Sequence, residues 1–169
     1  MDHVIYLDYD GLLHPDAVYR PRNRPLELRA PGELMMYAPI LEEILLQCPH
    51  VRIVLSTSWV RELSFDRALK RLPAGLQVKV IGATWHKRMR KEDGFDPFSR
   101  MTRFRQLQQH VNRHLVRNWL AIDDLHSGTE EWIFGLEQRL VLTDGTKGLG
   151  CPSIQEDLKQ KLQTLMGKK

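Results

Sequence analysis

The sequence contains no apolar stretch that approaches the roughly 20 residues needed to cross a bilayer, and its first residues lack a signal-peptide pattern. Cysteine is scarce: Cys48 and Cys151 lie far apart and form neither a metal-type pair nor a disulfide framework. The chain also lacks low-complexity runs, internal repeats and linkers. These absences argue against a membrane protein and a disulfide-stabilised secreted domain, and they predict a cytoplasmic location. We expect buried or free thiols, and the sequence assigns them no role.

What the chain does contain is enough apolar residues for one core, since 42% of its 169 residues are hydrophobic and 27% are charged. A net charge of +4 modestly favours encounters with anions. The basic residues gather in three places, each of which could also be an ordinary solvated face. These clusters are Arg20, Arg22, Arg24 and Arg29; His86, Lys87, Arg88, Arg90 and Lys91; and Arg100, Arg103 and Arg105.

Short apolar runs alternate with stretches of helical periodicity. The predicted strands are residues 3–7, 51–55, 78–81, 119–122 and 140–142, and the predicted helices are residues 33–47, about 56–72, 99–115 and a last one opening with a capping box at 153–156. The alternation predicts a three-layer, Rossmann-like α/β fold around a central, mostly parallel five-stranded sheet. We expect residues 1–169 to form one domain, with a flap or hairpin at about 12–31 and a basic connection at about 83–98.

Polar residues follow three of these strands at the point where each strand ends. They are Asp8-Tyr9-Asp10-Gly11, Ser56-Thr57-Ser58 and Asp123-Asp124. Because ligands bind at the carboxyl edge of open α/β sheets, we expect these side chains to share one site. Four carboxylates at one edge would repel each other unless a cation were bound, and their hard oxygen ligands suit Mg²⁺. The sequence therefore predicts a magnesium site.

Asp8 and Asp10 are the candidate catalytic pair. Residues two apart in an extended chain point to the same side, so the two carboxylates can face one reacting centre as nucleophile and general acid/base. Gly11 lets the chain turn sharply beyond them. An Asp-x-Asp-Gly tetrad also occurs in calcium loops, but Leu12 and Leu13 follow and the later ligands of such a loop are missing.

The motif order resembles that of the haloacid dehalogenase (HAD) superfamily, which is dominated by aspartate-nucleophile phosphatases. The superfamily's first motif, an apolar strand followed by Asp-x-Asp, is matched by residues 4–11, and its second, a strand ending in Ser or Thr, by residues 53–56. Its fourth motif, a strand ending in paired acids, is matched by residues 120–124. The third is a lone Lys or Arg near the start of the preceding helix; Arg103 fits it best, with Arg100 as the competitor.

This resemblance implies a two-step phosphoryl transfer. Asp8 would attack phosphorus and form an aspartyl-phosphate, while Asp10 would protonate the leaving oxygen and then activate water. The hydroxyl of Ser56, with Thr57 as the next candidate, and the cation of Arg103 would hold the phosphoryl oxygens. The magnesium ligands would be Asp8, Asp123 and the backbone carbonyl of Asp10, with Asp124 in support.

Several other polar and aromatic residues receive ordinary structural interpretations. We expect His14 to be a turn histidine. His110 and His114 are helix neighbours at a spacing that can bind zinc, but no third ligand is visible, so we expect surface residues. The tryptophans are expected in the core or at its rim rather than as base-stacking platforms; they are Trp59, Trp85, Trp119 and Trp132.

The gaps between motifs leave no room for a separate cap domain, so the chain looks like an uncapped (C0-like) member of the superfamily. An open site would admit a bulky phosphorylated group such as a polynucleotide end, and the two basic segments 20–29 and 86–91 would flank it. The organisation also resembles the HAD domains associated with RNA-repair proteins. We therefore expect a polynucleotide-end phosphatase. A small-molecule phosphatase and a non-catalytic binding domain are the alternatives.

Overall fold

The structure is a computed structural model that describes residues 3–124, residue 132 and residues 137–167. The strands among these residues are β1 (His3–Leu7), β2 (Val18–Tyr19), β3 (Glu27–Leu28), β4 (Val51–Leu55), β5 (Val80–Ala83), β6 (Trp119–Asp123) and β7 (Leu140–Leu142). The α-helices are α1 (Ala38–Leu46), α2 (Ser58–Leu63), α3 (Phe65–Leu69), α4 (Ala74–Gln77), α5 (Arg103–His114) and α6 (Pro152–Met166).

Five strands form the central sheet in the order β5-β4-β1-β6-β7, and every neighbouring pair is parallel. In the middle of this sheet, Leu7 of β1 is paired with Leu55 of β4 and with Ile122 of β6. The chain adds β4 and β5 on one side of β1 and then crosses to the other side for β6 and β7. The strand order therefore reverses beside β1, which is where open α/β sheets form a ligand-binding crevice at the carboxyl ends of their strands.

The side chains of β1 alternate between two cores, one on each face of the sheet. Ile5 and Leu7 pack with residues of α1, α6 and the α2–α4 segment, whereas Val4 and Tyr6 pack with residues of α5. Helices thus cover both faces, and the expected three-layer, Rossmann-like α/β architecture is confirmed. No separate cap domain is found in the part of the chain that the structure describes. Between β1 and α1, the strands β2 and β3 pair as a short antiparallel hairpin.

Several element boundaries differ from those predicted. The first helix begins at Ala38 rather than near residue 33, with a proline in its first turn. The long helix expected after β4 is interrupted at Ser64, whose φ of 115° ends α2 and whose hydroxyl accepts a hydrogen bond from the Arg67 N–H of α3. The strand predicted at 78–81 lies two residues later, because the short helix α4 extends to Gln77.

Two further helix starts also differ. Helix α5 begins at Arg103 rather than at residue 99, since Thr102 accepts the Arg105 N–H and caps it, while Pro97–Arg100 form a 3₁₀ turn. The predicted capping box at 153–156 is wrong. Cys151 occupies the N-cap of α6 without a side-chain cap, and the following proline supplies the first helical residue.

A buried polar pair, Tyr6 and His110, lies in the core between the sheet and α5 and was not predicted. His110 lies on the buried face of α5 beside Leu107 and Val111, and its Nδ1 shares a hydrogen bond of 2.9 Å with the Tyr6 hydroxyl. The expected surface position is therefore wrong for His110, although His114, which stacks against it, is exposed. Burial, helped by His114 and Arg113, lowers the pKa of His110 to about 4.

The remaining structural expectations concern thiols, tryptophans and membrane helices. Cys48 is buried, Cys151 is half-buried, and both are free thiols. All four tryptophans are buried, as expected for core positions. No helix among residues 3–124 and 137–167 is long and apolar enough to cross a membrane.

Candidate active site

Asp8 directly follows β1 and is held in place by donors on several sides. Its Oδ1 accepts the Tyr9 backbone N–H at 2.8 Å, and its Oδ2 accepts from Arg103 Nη2 at 3.2 Å. Burial raises the pKa of Asp8, and the neighbouring Asp10 adds to the increase; Arg103, the Tyr9 N–H and the Thr57 hydroxyl oppose it. Asp8 is therefore a buried carboxylate whose orientation is fixed by the Tyr9 N–H and by Arg103.

Arg103 is the first residue of α5 and joins two of the strand-end aspartates. Its Nε lies 3.0 Å from Asp123 Oδ2 while its Nη2 reaches Asp8. Burial alone would lower the pKa of Arg103, but Asp8 and Asp123 raise it above its ordinary value. Arg100, the competing candidate, places its guanidinium 4.8 Å from the centre of the Phe95 ring instead. Of the two arginines, the structure brings Arg103 to the aspartates.

A three-carboxylate cluster lies beside this ion pair. Asp8, Asp123 and Asp124 each offer an oxygen within 4.8 Å of the others, and the first two of these residues are buried. Two of the three carboxylates are buried, and negative charge removed from water needs compensating positive charge, of which Arg103 supplies a part. Carboxylate oxygens are ligands that Mg²⁺ favours. The cluster therefore fits a magnesium ion. The Asp10 side chain is not part of this cluster; the prediction for Asp10 concerns its backbone carbonyl.

Gly11 allows the Asp8–Gly11 segment to pack closely against Asp124. Its φ is +70°, and a Cβ atom added there would collide with the carboxylate of Asp124. The Gly11 carbonyl in turn accepts a 2.8 Å hydrogen bond from the Thr143 hydroxyl just after β7. Any larger side chain at position 11 would therefore displace Asp124 from the carboxylate cluster.

Asp10 lies at the same edge but has different neighbours. Trp59 Nε1, from α2, donates to both carboxylate oxygens at 3.0 and 2.9 Å. His14 Nε2 lies 3.1 Å from Oδ1, and Arg20 Nη2, from the segment after β2, lies 3.6 Å from Oδ2. Arg20 is also ion-paired with Glu62. The Asp10 carboxylate is thus surrounded by hydrogen-bond donors from the hairpin segment and α2.

The protonation of His14 follows from its second contact. The ring is fully buried, and its Nδ1 lies 3.3 Å from the Met35 backbone N–H. A backbone N–H can only donate, so Nδ1 is the acceptor and the proton of the neutral ring lies on Nε2. His14 therefore donates to Asp10. His14 was expected in a turn, but its contact with Asp10 was missed; their spacing of four residues was the available signal.

The two hydroxyl candidates after β4 differ in position. Thr57 contributes to the cavity beside Asp8, and its hydroxyl also accepts the Trp59 N–H at the start of α2. Ser56 Oγ is buried and has no hydrogen-bond partner among the described residues, and Ser56 is not part of the described cavity wall. The structure therefore brings Thr57, rather than Ser56, to the cavity surface.

One open cavity of about 270 Å³ lies at this edge of the sheet. Among its lining residues, Asp8, Asp10, Thr57, Ser58, Arg103, Asp123 and Asp124 were predicted from the sequence; those that were not predicted are Asp16, Arg61, Trp85, Phe98, Ser99, Met101 and Gln106. Asp16 and Arg61 add a further carboxylate and a further cation. Nothing in the sequence pattern identifies these two, because neither follows a predicted strand.

A family model described as "HAD domain in Swiss Army Knife RNA repair proteins" matches residues 4–154. The chain belongs to this family. The match covers the strand-end motifs from Asp8 to Asp124, so the resemblance to the HAD superfamily and to its RNA-repair-associated members is confirmed. Membership supports the interpretation as a HAD-type phosphohydrolase. No curated protein and no solved structure matches the chain.

Proposed function

We propose that this HAD domain is a Mg²⁺-dependent phosphohydrolase that removes terminal phosphate from nucleic acid through an aspartyl-phosphate intermediate. The observation that carries the proposal is the single cavity in which Asp8 and Asp10 stand beside Arg103 and the cluster of three carboxylates. This combination supplies a nucleophile, a proton-transfer group, a phosphate-binding cation and a metal site within reach of one reacting atom.

In the first half-reaction, a carboxylate oxygen of Asp8 forms a bond to phosphorus while the bond from phosphorus to the leaving oxygen breaks. Asp10 gives its proton to that leaving oxygen. In the second half-reaction, Asp10 takes a proton from water, and the water oxygen bonds to phosphorus as the Asp8–phosphate bond breaks. Inorganic phosphate leaves, the Asp8 carboxylate is regenerated and Asp10 is again protonated.

The phosphoryl group needs donors that hold its oxygens during both steps. Arg103 is suited to this task because its Nη2 already contacts Asp8. The phosphoryl group that Asp8 attacks must lie next to the same carboxylate, within reach of the guanidinium. The Thr57 hydroxyl is the better-placed of the two hydroxyl candidates, since it contributes to the cavity wall. Preorganised donors of this kind stabilise the negative charge that builds up in the transition state.

Asp8, Asp123 and the backbone carbonyl of Asp10 would hold magnesium, with Asp124 in support. When bound, the ion supplies positive charge that offsets the carboxylates and the phosphoryl oxygens. Gly11 lies so close to Asp124 that a Cβ atom at position 11 would collide with its carboxylate, which agrees with a closely packed metal site.

The family match and the openness of the site support a phosphorylated nucleic-acid end as the substrate. Matched family members are described as parts of RNA repair proteins. The described residues include no cap domain that would close over the cavity and restrict it to small molecules. Lys87, Arg90 and Lys91 are exposed and so are available to a polyanion.

The decisive experiment measures phosphate release from terminally phosphorylated oligonucleotides by the wild-type protein and by Asp8→Asn, with Mg²⁺ or with EDTA. Because Asp8 is the proposed nucleophile, we expect Asp8→Asn to lower kcat by at least about 10⁴-fold. We expect chelation to abolish turnover in the wild type. Mass spectrometry of acid-quenched enzyme should find phosphate on the peptide that contains Asp8.

Asp157→Asn is a suitable control, because Asp157 is paired only with Lys161 on α6 among its described contacts. It should keep wild-type turnover. Circular dichroism of Asp8→Asn checks that loss of activity occurs in a folded protein. Wild-type turnover in Asp8→Asn, or in EDTA, would show that the proposal is wrong.

A further inference from the structure

A second cavity opens beside the active-site cavity, and nothing in the proposed chemistry uses it. This side groove has a volume of about 550 Å³ and is lined by residues 60–65, 81–83, 85–87 and 90. Its size falls within the range of about 300–1,000 Å³ that is usual for ligand sites. Arg61 and Trp85 contribute to both cavities, so the side groove adjoins the active-site cavity.

The charges change sign between the two cavities. The active-site cavity is dominated by aspartates, whereas Arg61, Lys87 and Arg90 contribute cations to the side groove. Glu62 is the single carboxylate in the described groove lining; it is ion-paired with Arg20, and its other oxygen lies 4.0 Å from Arg61 Nη2. A positively charged groove that begins at the rim of a phosphate-processing site is complementary to the further phosphates of a polyanion.

The side groove also offers apolar surface between its cations. Ile81 of β5 is 59% exposed, and Leu63 and Phe65, at the junction of α2 and α3, are half-buried. The guanidinium of Arg90 lies 5.7 Å from the centre of the Trp85 ring, which places one of the cations directly at the entrance. Apolar surface flanked by cations suits the bases and the phosphates of an extended single strand.

We propose that the side groove binds the nucleotides next to the terminal phosphate of a single-stranded polynucleotide. This inference rests on the proposed phosphohydrolase function. The terminal phosphate lies at Asp8, the chain passes Arg61 and Trp85, and the next phosphates are bound by Lys87 and Arg90. A chain of two or three nucleotides therefore gains contacts that a mononucleotide cannot make.

A third cavity, of about 410 Å³, is the competing route. It contains Arg88 and Arg113 and adjoins the active-site cavity through Phe98 and Met101. These two shared side chains carry no charge, whereas the side groove shares the cation Arg61. The side groove is therefore the better path for a polyanion, and the third cavity supplies a matched control with the same number of removable positive charges.

The test compares Lys87→Ala/Arg90→Ala with Arg88→Ala/Arg113→Ala on phosphorylated oligonucleotides of one to six nucleotides and on p-nitrophenyl phosphate. In the wild type, kcat/KM should rise with length and then reach a plateau. For Lys87→Ala/Arg90→Ala, the ratio of kcat/KM on the hexanucleotide to that on p-nitrophenyl phosphate should fall about tenfold. Loss of two phosphate contacts should also reduce the slope of log K against log salt by about 1.4. The control pair should keep the wild-type ratio within about twofold.

A second measurement keeps the inference testable if turnover is low. Fluorescence anisotropy of a labelled oligonucleotide should show weaker binding to Lys87→Ala/Arg90→Ala than to the control pair, both in the Asp8→Asn background. Equal loss in both pairs, or no loss in either, overturns the side-groove assignment. So does a phosphopeptide that is hydrolysed faster than the oligonucleotides.

Failure of the proposed function gives a different result, because no phosphorylated oligonucleotide of any length would then release phosphate. Failure of the side-groove inference leaves an active enzyme whose kcat/KM is independent of substrate length. All four substituted residues are exposed, so thermal unfolding should show that both double variants keep the wild-type fold.

Discussion

Asp8 and Asp10 are separated by one residue and line one cavity, but their surroundings differ. The Asp8 side chain is 5% exposed and is contacted by the strand end and by Arg103 at the start of α5. The Asp10 side chain is 21% exposed and is contacted by Trp59 and by His14. The neighbours of Asp8 are thus at the edge of the sheet, whereas those of Asp10 are in the segment that covers this edge.

This difference supports a division of labour between the two carboxylates. A nucleophile benefits from a fixed direction, and the short contacts of Asp8 provide one. A group that gives and takes protons must reach both the leaving oxygen and water, which agrees with the partial exposure of Asp10. All the described neighbours of the Asp10 oxygens are donors, so they fix its direction while leaving it accessible from the cavity.

Removing the proton-transfer group alone should have a large effect, second only to that of Asp8→Asn. Asp10→Asn should lower kcat by about 10²–10⁴-fold on an oligonucleotide, whose leaving oxygen needs a proton. On p-nitrophenyl phosphate, the first step needs no acid, whereas the second still needs a base. We therefore expect a rapid burst of about one equivalent of nitrophenol, followed by slow turnover, in stopped-flow measurements.

Asp8→Asn, in contrast, should give no burst on either substrate, because no covalent intermediate can form. A burst in Asp8→Asn, or its absence in Asp10→Asn, would show that the two carboxylates do not have the separate roles that their surroundings indicate.

A smaller effect is expected from a substitution at Gly11, which follows Asp10 but lies against Asp124 of the carboxylate cluster. Gly11→Ala adds a methyl group that collides with Asp124, so we expect Mg²⁺ affinity to fall about 10–100-fold. The measurements are calorimetric titration with Mg²⁺ and the Mg²⁺ dependence of turnover.

Gly94→Ala is the matched control for this substitution. Gly94 also has a positive φ, of +81°, but apart from its chain neighbours no described residue has an atom within 4 Å of the position of its missing Cβ. Gly94→Ala should therefore share the backbone strain without changing Mg²⁺ affinity. If both variants bind Mg²⁺ equally well, Gly11 does not shape the metal site.

The Asp8 side of the site follows more directly from the sequence than the Asp10 side does. Asp8, Asp123 and Asp124 each follow a short apolar strand, and parallel pairing brings such strand ends together whatever the loops do. Arg103 was anticipated from the resemblance to the third motif of the superfamily, with Arg100 as the competitor. The parallel sheet with both faces covered could be anticipated from the alternation of strands and helices, whereas the strand order was not predicted.

The Asp10 side depends on contacts that periodicity does not reveal. The indole of Trp59 and the imidazole of His14 reach Asp10 only because α2 and the turn after Gly11 pack against each other. The sequence predicts a core or rim position for Trp59 and a turn position for His14, and both residues are buried. Arg20 was assigned to a basic, substrate-facing segment, yet its contacts with Asp10 and Glu62 use part of that charge within the site.

The smallest predicted effect tests whether Trp59 positions Asp10. Trp59→Phe keeps an aromatic ring against Tyr9 but removes the N–H that donates to both Asp10 oxygens. A carboxylate with a less defined direction should transfer protons less efficiently, so kcat on an oligonucleotide should fall about tenfold. On p-nitrophenyl phosphate, the burst rate should change little, since that step does not depend on the acid.

Tyr9→Phe provides the control, because the Tyr9 hydroxyl donates to the Ala68 carbonyl and not to either aspartate. Its loss removes one buried hydrogen bond from the same cluster and should cost about 1–2 kcal/mol in the free energy of unfolding, with the oligonucleotide kcat preserved. Should Tyr9→Phe reduce kcat as much as Trp59→Phe does, the effect would come from core packing. Should Trp59→Phe reduce the burst rate and the oligonucleotide kcat equally, Trp59 would act on Asp8 as much as on Asp10, and the two carboxylates would share one environment instead of two.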